Sequence, residues 1–180
     1  MVDAEYEIVN VVLSVSYKDV EFDLEKIASN LEEARFDPEI YPGLTYRVSE
    51  PKATFLLFTT GNVNCMGAKT VEGAEKAVEK LTSKLQNLGF DVEEPEAVVR
   101  NMVASVDFHR GFDLEEIARN YHYAEYNPEV FPALVFRWED TNVVILLFVE
   151  GEGVCVGAKK KEEIEKAIEW ISETIESINS

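Results

Sequence analysis

The chain has 180 residues, 46% of them hydrophobic, enough to bury a core as one domain or two small ones. It has no apolar run of about eighteen residues, which argues against a membrane span, and Met1-Val2-Asp3-Ala4-Glu5 is acidic where a signal peptide is cationic and then apolar, so a soluble intracellular protein is expected. The formal net charge of −18 disfavours a polyanionic partner, although net charge is a whole-surface quantity that a binding face can oppose locally.

Ile8 to Ser16 is rich in Val and alternates polar with apolar residues, which predicts a strand. Asp23 is a good N-cap for a helix carrying Leu24, Ile27, Ala28 and Leu31 at helical spacing. Thr45 to Ser49 and Ala53 to Thr60 read as strands separated by a Glu50-Pro51 turn, and Gly61-Asn62 turns the chain into a further short strand holding Cys65. Ala74, Val78, Leu81, Leu85 and Leu88 then predict an amphipathic helix that stops at Gly89. An acidic stretch containing Pro95 follows, and the same series begins again: a strand from Val98 to Asp107, an N-cap at Asp113, a Gly151-Glu152-Gly153 turn, and a last helix with Ile164, Ile168, Ile171, Ile175 and Ile178 on one side.

The series is an internal repeat. Phe22-Asp23-Leu24-Glu25 returns as Phe112-Asp113-Leu114-Glu115, Pro42 and Leu44 as Pro132 and Leu134, Leu56-Leu57-Phe58 as Leu146-Leu147-Phe148, and Cys65 with Gly67-Ala68-Lys69 as Cys155 with Gly157-Ala158-Lys159. Asn10 pairs with Asn101 one residue out of step, which places a length difference in the loop before the first helix. The predicted organisation is a first repeat at 1–90, a linker at 91–97 and a second repeat at 98–180. The fold class is α+β: each repeat is a curved antiparallel sheet with two helices on one face, and a pseudo-twofold would join the two sheets and leave one long face uncovered. Cys65 and Cys155 lie in apolar alternating segments and read as small buried hydrophobes rather than a disulfide.

Strand parity separates the faces. With Cys65 pointing to the helices, Asn64 and Met66 share the open face, as do Val154 and Val156; Leu56 and Phe58 share one face, as do Leu146 and Phe148. An open surface of this composition is unfavourable in water unless it meets something apolar.

The Asn-x-Val near each repeat start, Tyr41-Pro42-Gly43-Leu44, Phe131-Pro132-Ala133-Leu134, Leu-Leu-Phe and Gly-Ala-Lys resemble the TATA-box-binding protein family, in both copies and in order, and the acidic second helices are similar to its archaeal branch. The resemblance implies a saddle whose concave sheet lies on the minor groove of A·T-rich double-stranded DNA and bends it with apolar wedges, a property known of that family. Tyr41, Phe58, Phe131 and Phe148 match the wedges; Asn10 and Asn101 match the polar readers, whose amide donors suit adenine N3 and thymine O2. Val12, Val103, Leu56, Leu146, Met66, Val154 and Val156 would form the apolar floor. Arg47, Lys52, Lys69, Arg137 and Lys159 would meet phosphates. The resemblance also implies recruitment of a B-type initiation factor near Asn127, Glu129 and Val130, an indirect link to RNA polymerase, and a nucleoid location in the cytoplasm of an archaeal-type cell. The apolar concave face offers a surface for weak homodimerisation.

The departures are informative. Met66 and Val156 stand where the family has Thr, Asn64 where it has an apolar residue, and Tyr41 where it has Phe. Asn127 replaces an expected Glu. Phosphate-facing charge is thinner in the second repeat, where Asn142 matches Lys52 and Glu152 matches Asn62. Two expectations follow: weak intrinsic DNA affinity with a shallow salt dependence, or, as an alternative, a diverged paralogue that binds initiation factors as a protein-interaction regulator. An enzyme, a metal site and a cofactor are not expected. His109 and His122 lack metal-ligand spacing, and Gly67-Ala68-Lys69 lacks the upstream glycine of a phosphate cradle.

Overall fold

A computed structural model describes residues 3–178. It divides into two compact units, one formed by Asn10–Arg100 (the 10–100 unit) and the other by Met1–Val9 with Asn101–Ser180 (the 101–180 unit). The division differs from the repeat boundaries expected at 1–90 and 98–180 because compactness follows contacts rather than similarity. Two long strands, β1 (Glu5–Ser16) and β6 (Glu96–Asp107), each contribute residues to both units.

In the 10–100 unit the chain continues as α1 (Leu24–Asn30), β2 (Ala34–Arg35), β3 (Leu44–Ser49), β4 (Lys52–Leu57), β5 (Asn62–Ala68) and α2 (Val71–Asn87). Its sheet runs β2-β3-β4-β5-β1, antiparallel throughout. The 101–180 unit repeats the series with α3 (Leu114–Asn120), β7 (Ala124–Glu125), β8 (Leu134–Arg137), β9 (Val144–Leu147), β10 (Glu152–Ala158) and α4 (Lys161–Ile178), in the order β6-β10-β9-β8-β7. The α+β class and the repeated architecture are thus as expected.

Local chemistry explains the element ends. The carboxylate of Asp23 accepts from the Lys26 amide at 3.1 Å, and Asp113 accepts from Glu116 at 3.0 Å, satisfying first-turn donors at the helix starts. Leu31, expected inside the first helix, is its C-cap with φ −117°, so the helix is one residue shorter. At the end of α2, Gly89 takes φ +95°; its amide bonds to Gln86 O and the Phe90 amide to Leu85 O, a paired closure that requires the left-handed residue glycine supplies. Leu88 accordingly falls on the cap rather than in the helix. β4 stops at Leu57, not at Thr60, because Phe58 and Gly61 close a turn there. β6 begins at Glu96, two residues before the expected Val98.

The core of each unit lies between sheet and helices. Phe55, Leu57 and Cys65 meet Ala74, Ala77, Leu81 and Leu85 in one, and Ile145, Leu147 and Cys155 meet Ile164, Ala167, Ile171 and Ile175 in the other; all are 2% exposed or less. Burying each large apolar side chain contributes about 1.5–3 kcal/mol before conformational entropy opposes it. Both cysteines are buried and free, as their apolar setting implied, and burial pushes each thiol up to about 11. Tyr17 donates to or accepts from Thr82 at 2.7 Å inside the first core, whereas Phe108 occupies the matching place in the second.

Candidate nucleic-acid interface

Among the described residues no helix covers the opposite face of each sheet. Along β4 the buried Ala53, Phe55 and Leu57 alternate with half-buried Thr54 and Leu56, and the next open-side residue is Phe58. The same alternation places Val144, Leu146 and Phe148 on the open side of the 101–180 unit. β5 puts Asn64 and Met66 there, and β10 puts Val154 and Val156 there. β1 and β6 add Asn10, Val12, Asn101 and Val103, all half-buried. Arg47 and Lys52 lie at the same parity on β3 and β4 and are exposed, as is Arg137 on β8; Lys69 and Lys159 are exposed just beyond β5 and β10. Each unit therefore gathers its share of the expected positions on one face.

A β-bulge lies at the centre of each face. Val11 pairs with Ala68 but Leu13 pairs with Cys65, so Met66 and Gly67 together oppose Val12. In the other unit Ala104 pairs with Cys155 and Met102 with Ala158, leaving Val156 and Gly157 opposite Val103. The extra residue turns the parity over, which keeps Met66 and Gly67 half-buried while Ala68 returns to the core. Gly67 and Gly157 sit at φ +89° and +88°, where a side chain is strained. Spacing alone did not reveal the bulge, although a glycine inside a strand pattern is its ordinary signal.

The bulge also orients the asparagines. The Gly67 amide donates to Asn10 Oδ1 at 2.7 Å, and the Gly157 amide donates to Asn101 Oδ1 at 2.7 Å. A backbone N–H can only donate, so the carbonyl oxygen must face it. The NH₂ of each carboxamide is then left to the other side, and each unit presents a fixed pair of donors among apolar neighbours.

The aromatic positions lie at the strand ends. Tyr41 and Phe131 are 45% and 43% exposed, which leaves roughly half of each ring available for burial against a ligand. Each follows a turn closed by bonds to one carbonyl: Asp37 O accepts from the Ile40 and Tyr41 amides, and Asn127 O from the Val130 and Phe131 amides. Tyr41 and Phe58 meet edge-to-face with centroids 6.2 Å apart. A Cβ at Gly43 would lie 2.9 Å from the Tyr41 ring, so the missing methyl permits this contact. Ala133 fills the equivalent place beside Phe131, and among the described residues Phe131 and Phe148 make no ring contact. Asn127, Glu129 and Val130 are all exposed on the turn before Phe131, Val130 by 79%. Ile40, at the same place in the first repeat, is 83% exposed, which its apolar character alone would not predict.

Charge differs between the units. In the 101–180 unit Glu5, Glu7, Asp107 and Glu152 line a shallow depression of about 440 Å³ beside Phe148 and Val154. His109 reaches Glu5 at 3.7 Å and Asp107 at 3.3 Å at its edge. At the matching strand ends the 10–100 unit carries Ser16 and Asn62 in place of Asp107 and Glu152.

The sequence profile of the family described as "Transcription factor TFIID (or TATA-binding protein, TBP)" matches residues 5–88 and 96–178, once per repeat. A TATA-box-binding protein of Methanocaldococcus jannaschii is 42% identical over 179 residues, covering 99% of this chain and 97% of the relative. One of Picrophilus torridus is 40% identical over 172 residues, covering 94% and 93%. The solved structure of Methanococcus jannaschii TBP superposes with a TM-score of 0.87 at 43% identity, covering 96% of this chain and 99% of that one.

Proposed function

Since the chain belongs to the TATA-binding protein family, we propose that it is a general transcription initiation factor that binds and bends A·T-rich promoter boxes through the minor groove and recruits a B-type initiation factor. The observation that carries the proposal is the pair of asparagine carboxamides whose oxygens are held by bulge glycines, so that only donors face outward. In the minor groove, A·T and T·A pairs present acceptors alone, while a G·C pair adds an amino group that collides with a fixed donor. Two such readers select A·T pairs without distinguishing their orientation.

The repeats at 1–90 and 98–180, joined by 91–97, each serve half a box. Leu56, Met66, Val12 and their counterparts Leu146, Val156 and Val103 cover sugars and base edges. Tyr41 with Phe58, and Phe131 with Phe148, wedge into base steps at the two ends. Unstacking a step costs a few kcal/mol, and burying an aromatic ring returns a comparable ~1.5–3 kcal/mol, so wedges at both ends are needed to sustain a bend. The exposed turn at Asn127, Glu129 and Val130 is the docking point for the B-type factor, through which polymerase is engaged indirectly. Without DNA the apolar face supports weak self-association. The archaeal sources of the relatives favour a nucleoid location.

Five cations at phosphate-facing positions, opposed by Glu152 and a net charge of −18, imply weak intrinsic binding with a log–log salt slope of roughly 4–5. Titrating a TATA duplex at several salt concentrations, with and without a B-type factor, tests this. The expected result is a shallow slope and a marked gain in affinity with the factor; tight binding alone, with a slope as steep as the roughly 7 that about eight phosphate contacts would give, would overturn it. Energy transfer between end labels measures bending in the same samples. A duplex that stays straight while the factor still binds would instead support the diverged regulator, the reading favoured by Glu152 and the missing Thr pair.

A further inference from the structure

The two open faces share their Asn readers but differ in what surrounds them. In the 10–100 unit, Thr45 pairs with Leu56, Leu56 with Asn64, and Asn64 with Ser14, so one row crosses four strands. The corresponding row of the 101–180 unit is Val135, Leu146, Val154 and Ser105. One row further on, Thr54 pairs with Met66 in the first unit and Val144 lies across from Val156 in the second. The places of Thr45, Thr54 and Asn64 are thus all taken by valine in the second repeat. The three polar residues are half-buried and lie in adjacent strands, as are the three valines.

Asn64 differs from Asn10 in a second respect. The Asn10 carboxamide is anchored through its oxygen, whereas the Asn64 side chain has no hydrogen-bond partner among the described residues. Asn64 can therefore turn either its NH₂ or its oxygen outward. Toward A·T it donates; toward G·C its oxygen can accept from the guanine N2 amino group, with the hydroxyl of Thr54, its diagonal neighbour on the adjacent strand, as a further acceptor. Valines at the same places offer no acceptor, and a guanine amino group pressed against them is left buried and unpaired, which is unfavourable.

We propose that the 10–100 face tolerates a G·C pair in the half-box it covers, that the 101–180 face does not, and that this difference orients the protein on DNA. The inference rests on the minor-groove reading above and deepens it by assigning half-site specificity to Asn64, with Thr45 and Thr54 supporting, against Val154, Val135 and Val144.

A self-complementary box of alternating T and A tests this whichever way round the protein sits. A single G·C pair in one half can be met by turning the protein round, whereas G·C pairs placed symmetrically in both halves cannot. For the native chain a single substitution should weaken binding only about twofold, through loss of one of two equivalent orientations, while the double substitution should weaken it roughly tenfold or more. Replacing guanine by inosine, which lacks the N2 amino group, should restore binding to the doubly substituted box. Asn64→Val should make the single substitution cost roughly tenfold relative to that variant's own binding of the plain box. Val154→Asn should relieve the double substitution. Penalties that simply multiply between the two halves, or a profile unmoved by Asn64→Val and Val154→Asn alike, would overturn the inference while leaving the minor-groove reading intact. Failure to bind the plain A·T box would overturn both.

Discussion

Asn10 and Asn101 commit their carbonyl oxygens within the protein and keep their amino groups for the open face. This division predicts the behaviour of a near-isosteric change. Asn10→Asp preserves an acceptor for the Gly67 amide, so the bulge should persist and stability should change by no more than about 1 kcal/mol. It replaces the outward donor by an anionic oxygen facing acceptors and phosphates, so affinity for an A·T box should fall by roughly tenfold or more. Thermal unfolding and a binding titration on the same variant separate the effects; unchanged affinity would remove Asn10 from the interface. Glu152 makes the opposite case, because its carboxylate lies beside Phe148 where the first repeat has Asn62. Glu152→Lys should strengthen binding at low salt and steepen the salt slope by roughly 0.9 to 1.8, because it removes a repulsion and supplies a cation that can meet a phosphate.

Among the elements, the bulges orient Asn10 and Asn101, and the two bulges are not equally tolerant. A Cβ on Gly157 would lie 2.0 Å from the carbonyl oxygen of Asn142, whereas one on Gly67 would come no closer than 3.9 Å to the Thr54 nitrogen. Both glycines have positive φ, so Gly67→Ala should cost only the left-handed penalty of about 1–2 kcal/mol. Gly157→Ala adds a backbone collision and should cost more than about 3 kcal/mol or displace the turn at Asn142. Urea unfolding followed by circular dichroism compares them; equal losses would show that the clash relaxes at little cost. The helices were the most legible elements, because Asp23, Asp113 and the spacing of Ala74, Val78, Leu81 and Leu85 act through neighbours along the chain. The bulges were less legible: each glycine could be seen, but not the strand it opposes. The two-residue strands β2 and β7 carry too little pattern to be anticipated.

For the whole molecule, the buried thiols set a pH limit. Cys65 and Cys155 are pushed from 9.0 to about 11 by burial, so the folded chain holds protons that the unfolded chain has released. Their contribution to stability is complete below about pH 9 and is lost as pH rises toward about 11. Denaturation midpoints should fall across that window, and a Cys65→Ala, Cys155→Ala variant should fall less steeply; parallel curves would exclude the thiols as the cause. Trp138 and Trp170 are stacked within the 101–180 unit, so their fluorescence reports on that unit during such a titration. The sequence by itself determined the duplication, the helices, and the sides of β4, β5, β9 and β10, because caps, periodicity and alternation are properties of adjacent residues. Only the tertiary structure decided which way the Asn10 carboxamide points, since its partner Gly67 is 57 residues away and meets it through the register of β1 on β5. The same holds for the polar row of Thr45, Leu56, Asn64 and Ser14, whose members lie on four strands and become neighbours only when the sheet assembles.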